Sequence, residues 1–124
     1  MTDVVADDHT GADGFAAVLA GAGDRLGRPS PCPEWRAREV ADHVLGGARH
    51  LVEQLGATVP PGAGAGAGDD SESLRAAVVE AAEQPGALDR CVRGPLGGEA
   101  PAGVFLGLTA PDTLLHTWDL ARAV

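Results

Sequence analysis

The sequence contains no lysine, isoleucine, asparagine or tyrosine, and these shortages limit what the chain can be. Its aromatic side chains are only Phe15, Trp35, Phe105 and Trp118, so the core must be built mainly from alanine, valine and leucine. Such small residues favour close packing between helices. No apolar run approaches the roughly 20 residues that a helix needs to span a bilayer, so we expect no membrane segment.

Positive charge is also scarce. Nine arginines stand against 18 acidic residues, which gives a formal net charge of −9. A surface of this sign repels a phosphate backbone and disfavours nucleic-acid binding. The N-terminus, with Asp3, Asp7 and Asp8, is acidic where a signal peptide would be basic. With only Cys32 and Cys91 and no export signal, we expect a cytoplasmic protein with reduced thiols.

The length and the hydrophobic periodicity predict one all-α domain, a four-helix bundle over residues 1–124. A disordered leader over residues 1–9 and a flexible Gly/Ala loop over 58–69 are expected from composition. Residues 87–100 suit an irregular or briefly extended connection. The predicted helices run from Thr10 to about Leu26, from about Arg36 to Leu55, from Ser71 or Ser73 to about Gln84, and from Pro101 to the chain end.

The last predicted helix carries ionisable side chains on the face that should pack inward. Asp112, His116 and Asp119 recur there at i, i+4 and i+7. The apolar residues expected on the same face are Phe105, Leu108, Leu115, Leu120 and Ala123. Unpartnered burial of such groups costs several kcal/mol each, so we expect something inside to engage them. A carboxylate and an imidazole one helical turn apart can both reach one divalent cation.

Other polar residues allow two interpretations each. His43 lies near the apolar stripe of the second helix, where a lone histidine is more often a hydrogen-bonded core residue than a metal ligand. His50, two turns further on, either lines a cavity or is exposed. Asp119 is either a fourth ligand or the residue that orients a ligand histidine or binds an arginine. Cys32, between two prolines, is expected to be a small buried residue.

Three motifs, in this order and spacing, suggest a family. They are PCPEW at 31–35, DHVLGG at 42–47 and DTLLHTWDLARA at 112–123. Together they resemble actinobacterial metal-binding proteins of the DinB-like superfamily. Relatives in that superfamily include the N-terminal domain of mycothiol-dependent maleylpyruvate isomerase.

The resemblance implies a four-helix bundle in which a divalent metal is held by His43, Asp112 and His116. Asp112 stands where the isomerase-like relatives have a glutamate. The expected metal is zinc, with nickel or another divalent ion as alternatives. Three protein ligands and an open position are typical of catalytic zinc. In the thiol-using relatives that open position takes a low-molecular-weight thiol, so mycothiol or a similar thiol is the implied cosubstrate. Asp119 and His50 would support the ligands.

These observations leave three hypotheses for function. The first is a thiol-dependent isomerase or S-transferase that acts on a small-molecule substrate. The second is a non-catalytic metal-binding or interaction module, such as a truncated remnant, and the third is a plain helical bundle with an empty site. The helical pattern continues to Val124 without a stop, whereas related chains run on. We therefore expect a C-terminal truncation and, through the apolar helix faces that it would expose, a homodimer.

Overall fold

The structure is a computed structural model that describes residues 3–59, 68–94 and 97–124, of which residues 68–72 are described by their backbone only. Within these residues the chain forms four α-helices and one short β-hairpin. The elements are α1 (Val4–Ala20), α2 (Ala37–Gln54), α3 (Gly68–Ala82), β1 (Cys91–Arg93), β2 (Glu99–Pro101) and α4 (Ala102–Ala123). α1 and α2 each pack against both α3 and α4, so α2 and α4 are neighbours. The predicted all-α bundle is confirmed.

Helix α1 begins earlier than the sequence pattern suggested. The Asp3 carboxylate accepts hydrogen bonds from the backbone N–H groups of Val5 and Ala6, both at 3.1 Å, and thereby caps the helix. The disordered leader predicted for residues 1–9 is therefore wrong for residues 3–9, and Thr10 lies inside the helix. Val5 packs against the core, so tertiary contacts also favour the early start of the helix. The helix also ends early, at Ala20, and a 3₁₀ turn spans Gly23–Gly27.

The other elements follow the predicted order. The predictions for α2 and α4 are correct to within about one residue. Helix α3 begins at Gly68, before Ser71, so the predicted loop over 58–69 is wrong for its last two residues, and its centre, 60–67, lies outside the described residues. The connection after α3 forms an antiparallel hairpin in which Val92 pairs with Ala100. The backbone N–H of Ala102 donates to the Arg90 carbonyl at 2.8 Å, which ties the start of α4 to this hairpin.

Every helix contributes to one core. The largest fully buried side chains are Phe15, Val40, Val52, Leu74, Leu106 and Leu120. Burial of each stabilises the fold by about 1.5–3 kcal/mol. Aliphatic residues fill most of this core, as the scarcity of aromatic residues predicted.

The orientation of α4 differs from the prediction. Leu108 and Leu115, which were expected to face inward, are 61% and 66% exposed, and Trp118 is 59% exposed. The buried residues of α4 are Ala102, Leu106, Thr113, Leu120 and Ala123, so the expectation is confirmed for Leu120 and Ala123. The packed face is therefore rotated, and the ionisable residues of α4 lie along its edge. In the described parts of the chain, no helix is both long and apolar enough to cross a lipid bilayer.

Candidate metal centre

The packing of α2 beside α4 brings together the three residues that the resemblance named as ligands. Nε2 of His43 lies 3.7 Å from Oδ2 of Asp112, and Nε2 of His116 lies 3.5 Å from Oδ1 of the same carboxylate. The two imidazole rings meet edge to face with their centroids 4.7 Å apart. One donor atom from each residue lies within 4.8 Å of the other two. We call His43, Asp112 and His116 the outer triad.

The outer triad fits a divalent cation. Two donors that each lie 2.0–2.1 Å from a tetrahedral zinc ion are roughly 3.4 Å apart, so the two separations from Asp112 need little adjustment, while the third lies within 4.8 Å. Two histidines and one carboxylate are also a donor set of catalytic zinc sites. The side chains of His43 and Asp112 are 46% and 54% exposed, whereas that of His116 is 15% exposed. The site is therefore open to solvent on one side, where a further ligand could enter.

Asp119 lies behind His116, on the side away from the outer triad. Its Oδ2 is 3.2 Å from Nδ1 of His116, which is within ion-pair distance. Nδ1 is buried and has no hydrogen bond, so the ring would have to rotate slightly to donate to Asp119. In a neutral imidazole one nitrogen carries the hydrogen and the other a lone pair. A hydrogen bond from Nδ1 to Asp119 would leave the Nε2 lone pair facing the outer triad, as metal-binding histidines require.

Cys32, which was expected to be a small buried residue, and Trp35 also belong to this site. The Cys32 thiol donates a hydrogen bond to Oδ2 of Asp119 at 3.1 Å. Burial raises the pKa of the Cys32 thiol, and the hydrogen bond to Asp119 and the charge of that carboxylate raise it further. Trp35 lies beside both histidines, with ring centroids 5.2 Å from His43 and 6.2 Å from His116 and the ring planes tilted. Only their shared position in the PCPEW motif pointed to such a role.

A tight turn before α2 holds both residues against α4. The Ser30 hydroxyl accepts a hydrogen bond from the N–H of Cys32 at 3.1 Å and donates to the carbonyl of Trp35 at 2.8 Å. The N–H of Ser30 donates to the same carbonyl at 3.0 Å. Glu34, inside the turn, adopts a left-handed backbone conformation with φ of 69°. The turn thus fixes the backbone on both sides of Cys32 before any ligand binds.

His50 has a different partner. Its Nε2 is 2.7 Å from the carbonyl oxygen of Arg93, and the Arg93 N–H donates to the Gln54 side chain at 3.0 Å. These contacts join α2 to β1, and within the described residues His50 does not join the group of converging donors. Beside His43, methyl groups added at Gly46 or Gly47 would meet nothing within 4 Å, so the surface of α2 is open there.

Comparison with known proteins agrees with this architecture. The family model for the mycothiol maleylpyruvate isomerase N-terminal domain matches residues 9–121. Two uncharacterised proteins of Mycobacterium tuberculosis, one from strain CDC 1551 and one from strain H37Rv, are each 37% identical over 113 residues. The match covers 90% of this chain but only 62% of each relative, and no solved structure matches. The chain belongs to the family of the mycothiol maleylpyruvate isomerase N-terminal domain.

Proposed function

We propose that the protein binds one divalent metal ion through the outer triad and uses it to activate a low-molecular-weight thiol, mycothiol or a similar molecule, in an isomerase or S-transfer reaction. The observation that carries the proposal is the convergence of both Nε2 atoms on the Asp112 carboxylate. Membership of a mycothiol-related family supports a thiol as the cosubstrate. Zinc suits this donor set, and nickel is the main alternative.

In this proposal the residues around the outer triad would have separate roles. A bound divalent cation lowers the pKa of a thiol that it coordinates, so that a thiolate nucleophile forms at neutral pH. Asp112 would supply the negative charge that offsets the cation, and Asp119 would hold the hydrogen of His116 on Nδ1. Trp35 lies beside both imidazoles and would shield them from water on that side. The thiol would enter between His43 and Asp112, where the side chains are half exposed.

A non-catalytic metal-binding module is the second candidate. The outer triad lies at an open surface, and surface clefts of about 420 and 570 Å³ lie elsewhere, between α1 and the end of α3 and between the ends of α2 and α3. An ion held by residues of both α2 and α4 would cross-link the two helices. Such an ion would stabilise the fold without any substrate, because it binds only when both helices are in place.

Metal content tests the site itself. Protein purified without chelator should carry about one equivalent of a zinc-like metal, and His116→Ala should carry little because it removes a ligand. His9→Ala is the matched control, since His9 is an exposed histidine on α1 that faces Asp13. Absence of metal in the parent protein, together with no rise in melting temperature on adding zinc, would overturn both metal-based functions.

A thiol titration then separates the enzyme from the module. Cobalt-loaded protein should develop a thiolate-to-cobalt charge-transfer band when mycothiol is added, because the thiol takes the open position. The measurement belongs in a Cys32→Ser background, so that the chain's own thiol beside the site does not contribute. Tight cobalt binding without any response to mycothiol would exclude the thiol chemistry and leave the module.

A further inference from the structure

The far side of His116 carries a second group of donors. Oδ2 of Asp119 lies 3.1 Å from Sγ of Cys32 and 3.2 Å from Nδ1 of His116. Sulfur, oxygen and nitrogen all lie within 4.8 Å of one another. The side chains of His116 and Asp119 are only 15% exposed, so this group is better shielded from solvent than the outer triad. We call Cys32, Asp119 and His116 the inner triad.

Nδ1 of His116 is the unsatisfied atom of the inner triad. It is buried and makes no hydrogen bond. A buried polar group without a partner destabilises the folded state. Nδ1 can gain a partner in two ways. After a small rotation of the ring it can donate a hydrogen to Asp119, or its lone pair can bind a cation held between Cys32 and Asp119. For the second arrangement, the turn around Ser30 already fixes the backbone of Cys32 beside Asp119.

The two triads offer different donor chemistry through opposite nitrogens of one ring. The outer triad has only nitrogen and oxygen donors, whereas the inner triad adds a thiolate, which soft cations prefer. A neutral imidazole has a single lone pair. A cation on Nε2 therefore needs the hydrogen on Nδ1, beside Asp119, and a cation on Nδ1 needs it on Nε2, 3.5 Å from Asp112.

We propose that the inner triad is a second cation site, specific for thiophilic divalent ions, and that binding there excludes a cation from the outer triad because both use His116. In the binding step a metal–sulfur bond forms as the Cys32 S–H bond breaks, and the proton goes to solvent. The imidazole hydrogen moves from Nδ1 to Nε2, and no atom is oxidised or reduced. The inference rests on the geometry of the inner triad and does not require the proposed thiol reaction.

The probe is Cd²⁺, added to the full chain in a Cys91→Ser background so that Cys32 is the only thiol. One equivalent should produce the ultraviolet thiolate-to-cadmium charge-transfer band. Asp119→Asn should weaken cadmium binding by about 10–100-fold, because it removes the charged oxygen donor and keeps the side-chain shape. His43→Ala should leave the cadmium affinity within about twofold, since His43 belongs to the outer triad alone. Circular dichroism of each variant checks that the helices remain.

Nickel provides the complementary measurement. Ni²⁺ should bind the Cys32→Ser variant as well as the parent and should fail to bind His43→Ala. Protein saturated with Cd²⁺ should lose its nickel site, as measured by equilibrium dialysis.

Three results would overturn the proposal: no charge-transfer band at one equivalent of Cd²⁺, equal loss of cadmium affinity in His43→Ala and Asp119→Asn, or simultaneous binding of one Cd²⁺ and one Ni²⁺. The nickel measurement on the parent protein tests the outer triad separately, so the failure of either site is distinguishable from that of the other.

Discussion

Asp8 in α1 provides a quantitative test of how burial affects this fold. The residue is only 9% exposed, and burial raises the pKa of its carboxyl group from 3.8 to about 6, although His9 opposes the change. The folded state therefore binds the proton more tightly than the unfolded state. The stabilisation that the folded state gains from the protonated Asp8 carboxyl group is present in full below about pH 4 and is lost as the pH rises through about 6. At 1.36 kcal/mol per pKa unit, ionised Asp8 costs the folded state about 3 kcal/mol at pH 7.5.

The substitution Asp8→Asn removes the ionisation and keeps the shape of the side chain. We expect it to increase the free energy of unfolding by about 3 kcal/mol at pH 7.5 and by about 1.5 kcal/mol at pH 5.0. Urea unfolding followed by circular dichroism at both pH values gives the two differences. Comparing variant with parent at the same pH cancels the titration of the other carboxylates. Asp7→Asn is the control, because Asp7 is exposed and the charge change is identical.

The decisive quantity is how far the difference in free energy of unfolding between Asp8→Asn and the parent changes from pH 5.0 to pH 7.5. A gain of the same size at pH 5.0 and pH 7.5 would show that the effect comes from packing or from overall charge. A loss of stability at pH 7.5 would show that the ionised carboxylate makes a favourable contact, and that its burial does not destabilise the folded state.

Three further substitutions test the packing and the surface. Gly46→Ala should raise the free energy of unfolding by about 0.5–1 kcal/mol, because an added methyl group meets nothing within 4 Å in the middle of α2. Gly94→Ala should lower it by about 1–3 kcal/mol, because the methyl group would overlap the Phe105 ring; equal effects at both glycines in urea unfolding would contradict this. If the exposed apolar face of α4 pairs two copies of the chain, sedimentation should show a dimer that Leu115→Asp abolishes, and a parent that stays monomeric at high concentration would exclude the dimer.

The sequence predicted the existence of the helices better than their faces. Periodicity located α2 because its apolar and polar residues are well separated. It failed in part on α4 because that helix is apolar on two sides: Leu120 was correctly expected to face inward, but Leu106 is buried where Leu108 and Leu115 were expected. The close approach of α1 decides which face of α4 turns inward. The two backbones come so near that a methyl group added at Gly11 would lie 3.7 Å from the carbonyl oxygen of Ala110.

The candidate site, too, was predicted only in part. The resemblance named the outer triad, which the structure brings together. The inner triad was missed because the contact of Cys32 with Asp119 joins the turn before α2 to the last helix, a tertiary relation that local patterns do not encode. Likewise, Trp35 reaches both histidines through the shape of that turn.

The packing of α1 along α4 has a consequence for synthesis of the chain in the cell. Helix α1 ends at Ala20 and its partner begins only at Ala102. At about 5–20 residues per second, the ribosome needs roughly 4–16 s to make the roughly 80 residues between them. Throughout that interval the apolar face of α1 that contains Phe15 lacks α4, its main packing partner. We expect the nascent chain to depend on chaperones during this period, and the proposed metal site to form only after α4 has been made.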